Sequence, residues 1–139
     1  MNGGKPEKPI EVRQGITALW IAVGINEVDA LVNTLIFRIQ TGLTWVVIEV
    51  TISILLSWFF LHRIARGRSW ARATYLTIKT LSIGVMFNIS ETWWQTSPLF
   101  VVIDWVALFI TFYGAYLLFT YPSDRWFEAM SARVPLAEN

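Results

Sequence analysis

Cysteine is absent from these 139 residues and histidine occurs once. The first absence excludes disulfides, thiolate chemistry and Cys-based metal sites, and the lone His62 leaves a transition-metal centre short of ligands. No glycine-rich phosphate loop is present, and no basic stripe of the kind that follows nucleic acid. No cofactor and no nucleic-acid partner are therefore expected. Charge is scarce as well: charged residues make up 15% of the chain against 55% hydrophobic, and the mean hydropathy is +0.50. So short a chain cannot bury that much apolar surface in one soluble core, so a lipid bilayer is its first expected partner.

Four stretches approach the roughly 20 residues that a helix needs to cross hydrocarbon. They run over about 16–36, 43–61, 71–89 and 99–121. The expected fold is an all-α integral membrane protein, an antiparallel bundle of four transmembrane helices. A polar segment over 1–15 precedes the bundle and a tail over 122–139 follows it, with a short amphipathic turn around Trp126, Phe127 and Met130. No cleavable signal is evident, because the first apolar run is too long for a signal-peptide core. The connections 38–42, 62–70 and 90–98 are short, and Pro98 suits the first turn of the last helix.

Lysine and arginine set the orientation, since they resist translocation in short loops. Lys5, Lys8 and Arg13 precede the first span, Arg63, Arg66, Arg68 and Arg72 separate the second and third, and Arg125 and Arg133 follow the fourth. All fall on one side, against Arg38 alone on the other, so both termini are expected in the cytoplasm. The four middle arginines read first as a topology signal and second as a site for anionic lipid headgroups. Trp45, Trp93 and Trp94 mark the outer interface, and Trp58, Trp70, Tyr121 and Trp126 the inner one. Trp93 and Trp94 could also grip a partner outside, although an aromatic belt explains them as they stand.

Inside the spans lie ionisable residues: Glu27 and Asp29 in the first, Glu49 in the second, Lys79 in the third and Asp104 in the fourth. Each costs a few kcal/mol facing lipid at mid-depth, so they should face one another or water. Helical spacing places Asn26, Asp29 and Asn33 on one stripe and Glu49, Ser53 and Ser57 on another. Asp104, Ala107, Thr111, Gly114 and Leu118 form a third, where small residues allow close approach and hydroxyls can bridge helices. Four acids against one lysine need a further cation or a proton. The plainer reading of this cluster is structural, with Lys79 paired to Asp29 or Glu49 and amide bonds from Asn26 and Asn33 fixing the packing. His62 and Asp104 fall near opposite membrane faces, which argues against a Ser-His-Asp triad.

Three patterns resemble a loosely defined group of small uncharacterised bacterial inner-membrane proteins with four spans. They are Pro9 to Trp20 at the start of the first helix, Gly67-Arg68-Ser69-Trp70-Ala71-Arg72 opening the third, and Tyr121-Pro122-Ser123-Asp124-Arg125-Trp126-Phe127 after the fourth. The resemblance implies architecture and a bacterial inner membrane, and carries no activity with it. The leading functional expectation is a non-enzymatic membrane-embedded binding protein that acts through a membrane partner, as an accessory subunit, regulator or immunity factor. The alternative is an oligomeric cation- or proton-coupled transporter or channel built on the acidic cluster.

Overall fold

The computed structural model describes residues 7–37 and 43–132. They form five helices: α1 (Ile10–Phe37), α2 (Leu43–Ala65), α3 (Ser69–Thr96), α4 (Pro98–Leu118) and α5 (Tyr121–Ala132). No strand occurs among the described residues. Stretches of α1, α2 and α4, namely Ile10–Val32, Val47–Ala65 and Pro98–Leu118, are long and apolar enough to cross a membrane. Lys5, Arg38, the 38–42 connection and Arg133 lie outside the described residues, as do the side chains of Asn33, Trp45, Trp93 and Trp94.

Several ends differ from those read in the sequence, because hydropathy reports the apolar slab and not the hydrogen-bond ladder. Helix α1 begins six residues early, at Ile10 just after Pro9, with Glu11 in its first turn where the helix dipole favours an acid. Helix α3 continues through most of the connection expected at 90–98, and only Ser97 separates it from α4. No glycine or proline interrupts 90–97, whereas Pro98 pushes the residue before it out of the helical region. Ser97 accordingly has φ −157° and ψ 71°. The amphipathic turn expected after the fourth span is a full 12-residue helix, α5.

Each long helix touches its neighbour in the chain, and α1 against α4 closes the ring. Helices α1 and α4 run antiparallel, since Gly15 meets Gly114 while Ile25 and Val28 share a groove with Phe100 and Ile103. The principal apolar core sits at one end of this ring. Val12 and Leu19 of α1, Phe60, Leu61 and Ile64 of α2, Ala71 and Tyr75 of α3, and Leu118 of α4 meet there beneath Trp126 and Phe127 of α5. Phe127 is fully buried. Trp126, read in the sequence as an interfacial residue, is buried too.

The turn from α2 to α3 is closed by a glycine. The Gly67 amide donates to Ile64 O at 2.9 Å and the Arg68 amide to Arg63 O at 3.2 Å, a Schellman ending with Gly67 at φ +80°. A Cβ at this position would sit 2.7 Å from Met130 Cβ of α5. Gly67→Ala combines left-handed strain with that clash and is expected to destabilise the fold by about 2 kcal/mol. Thermal unfolding in detergent, followed by tryptophan fluorescence, measures the loss.

Candidate functional site

The last carbonyls of a helix lack partners within it; at the end of α4 the Phe119 amide donates to Tyr116 O at 3.0 Å, and side chains satisfy Leu117 O and Leu118 O. Ser123 Oγ donates to Leu117 O at 2.7 Å and Thr120 Oγ1 to the same oxygen at 2.9 Å. Arg72 of α3 donates to Leu118 O at 2.8 Å and forms an ion pair with Asp124. Its guanidinium lies 4.6 Å from the ring centres of both Phe119 and Phe127. The four arginines read together in the sequence therefore separate. Arg72 turns inward as a fastening, Arg63 lies over the Phe59 ring at 5.1 Å, and Arg66 and Arg68 are exposed.

The polar residues of the spans are not gathered into one pocket but distributed around the ring. Glu27 turns towards α2, where its carboxylate accepts a hydrogen bond from Ser53 Oγ. Asn26, next to it in sequence, lines a small cavity of about 110 Å³ with Lys79, Thr80, Ser82, Asp104 and Thr111. Lys79 also borders a second, larger groove between α2 and α3, of about 520 Å³. The stripe of Glu49, Ser53 and Ser57 faces this groove between apolar walls that include Ile52, Leu56 and Ile78. Glu49 itself is exposed.

Asp29 stands apart. It shares a helical stripe with Asn26, yet it borders a third groove, between α1 and α4, with an otherwise apolar lining. The side chain is only 8% exposed, and its Oδ1 has no hydrogen-bond partner among the described residues. The expected pairing of Lys79 with Asp29 or Glu49 is not formed: the Arg72–Asp124 contact is the only ion pair among the described residues.

The stripe on α4 is packed as small residues permit. Ala107, Thr111, Gly114 and Leu118 are buried, and Gly114 lies against Gly15. Its hydroxyl does not bridge helices, however. Thr111 Oγ1 donates to Ala107 O one turn back at 2.9 Å, and Thr51, Thr77 and Ser82 bond their own helices in the same way. Two contributors escaped the sequence reading. Gly24 opens the third groove, and Asp124 holds Arg72; neither sits in a pattern that spacing alone could reveal. No group of three or more potential metal ligands occurs among the described residues. No protein-family model, curated protein or solved structure matches the chain.

Proposed function

We propose that this protein spans a bacterial inner membrane four times and acts there as a non-enzymatic binding protein, holding a transmembrane helix of a partner in the groove between α2 and α3. The observation that carries the proposal is Glu49. It is exposed on a helix surface where Val47, Ile48 and Ile52 are also exposed, the pattern of a lipid-facing wall. A carboxylate facing hydrocarbon costs a few kcal/mol, and a partner helix carrying a lysine or arginine at that depth would remove the cost. The serines of the groove, Ser53, Ser57 and Ser82, leave room for such a helix to approach.

The common end of the core supports an orientation with both termini in the cytoplasm. Val12, Ile64, Ala71 and Trp126 meet there, so the basic residues near them, Lys8, Arg13, Arg63, Arg66, Arg68, Arg72 and Arg125, gather on one side. The positive-inside rule makes that side cytoplasmic. In this reading the partner is a membrane protein, and the role is that of an accessory subunit, regulator or immunity factor.

Gentle extraction from the native membrane, followed by native mass measurement and identification of copurifying chains, tests the proposal. A discrete complex with a different membrane protein is expected. In Glu49→Gln its recovery should fall by about tenfold or more, since removing one partner of a buried charge pair costs about 2–5 kcal/mol. A monomer with no companion under any extraction condition would refute the reading. The second reading, an oligomeric carrier or channel, draws on the small cavity holding Asn26, Lys79 and Asp104. A closed homo-oligomer whose ion flux in liposomes disappears in Asp104→Asn would favour it.

A further inference from the structure

The groove between α1 and α4 lies across the ring from the one assigned to a partner helix. It measures about 510 Å³, and its walls come from Ile21, Ile25, Val28, Phe100 and Ile103, with Gly24 leaving a gap among them. A Cβ added at Gly24 would meet nothing within 4 Å, so the space beside it is open. Among the described residues, no basic side chain lines the groove. Asp29 is the one ionisable group among the described residues that line it, more than nine-tenths buried, with one carboxylate oxygen lacking any hydrogen-bond partner among those residues. An oxygen so placed, away from water and unbonded, is costly to maintain.

We propose that this groove binds a lipophilic organic cation from the bilayer, an ammonium group on an apolar body, whose N–H groups meet the Asp29 carboxylate. The walls fix the nature of the body, because a binding cleft with apolar sides and a single polar point suits an amphiphile. The polar point fixes the head. An ammonium supplies both the donor that Asp29 lacks and an opposite charge. A bare divalent ion fits poorly, because it needs several oxygen ligands and the described residues of this groove offer one carboxylate. Lys79 does not fill the role, since it borders the cavity of Asn26 and Asp104 and the groove of Glu49.

The test uses the full chain in nanodiscs of zwitterionic lipid, with radiolabelled dodecylamine as probe and dodecanol as uncharged competitor. Saturable binding of one dodecylamine per chain is expected, without competition from dodecanol. Asp29→Asn keeps the shape of the side chain and removes the charge. Gly24→Leu fills the groove from a position where added atoms meet open space, and leaves Asp29 in place. Each should weaken binding by about tenfold or more. Glu49→Gln, in the opposite groove, should leave it unchanged, which separates this site from the partner surface. The proposal fails if dodecylamine does not saturate, if both variants bind as the wild type does, or if dodecanol competes equally and the groove merely accepts an acyl chain.

Discussion

Arg72→Ala is expected to lower stability by about 3 kcal/mol. The guanidinium is 13% exposed and makes three kinds of contact at once. It caps Leu118 O, pairs with Asp124, and lies beside the rings of Phe119 and Phe127. Hydrogen bonds involving a charge contribute about 1.5–3 kcal/mol, and a desolvated cation–π contact contributes roughly 1–2 more. Asp124 is half exposed, so its own loss of the partner is softened by water, and Asp124→Ala should cost less than Arg72→Ala. Arg72→Lys should recover only part of the loss, because an ammonium cannot fork between carbonyl and carboxylate while stacking on two rings. Melting temperatures of the three variants in one detergent decide the ranking; equal values for Arg72→Ala and wild type would show that the contacts contribute nothing.

The second large effect is expected where α1 and α4 touch. A Cβ on Gly15 would lie 2.9 Å from Gly114 O, and a Cβ on Gly114 would lie 2.9 Å from Gly15 O. Both obstacles are backbone atoms, which cannot rotate aside, so relief requires the helices to separate. Gly15→Ala and Gly114→Ala should each cost about 2 kcal/mol, in spite of alanine's better helix propensity. Because the two substitutions demand the same separation, the double variant should cost clearly less than the sum. Gly24→Ala provides the internal comparison: its Cβ meets open space, so propensity alone acts and the protein should gain up to about 1 kcal/mol.

These contacts also mark the limits of the sequence. The apolar runs of α1, α2 and α4 are legible from composition because a bilayer-length helix needs little beyond length and hydropathy. The helix ends are less so: Gly67 and Pro98 act as local signals, whereas the early start of α1 and the late end of α3 do not announce themselves. Rotation is the harder quantity. Asn26 and Asp29 share a helical stripe, yet they face a cavity and a groove on different sides of the α1–α4 contact. Helix α1 packs on α2, α4 and α5, so its sequence has no single polar face to point with. Spacing correctly grouped Glu49, Ser53 and Ser57, because α2 presents one face to one groove. Arg72 and Asp124 are 52 residues apart, and their pairing depends on where α5 folds back, which no local pattern encodes.

The core at the basic end joins residues from Val12 to Phe127, nearly the full length of the described chain. A ribosome delivers that length in order, with the last contributors emerging long after the first. Helices α1 to α4 already exist while Leu118 O, Leu117 O and the underside of Gly67 still wait for α5. The end of the core therefore closes only after α5 has been made, later in chain order than the four helices that it covers.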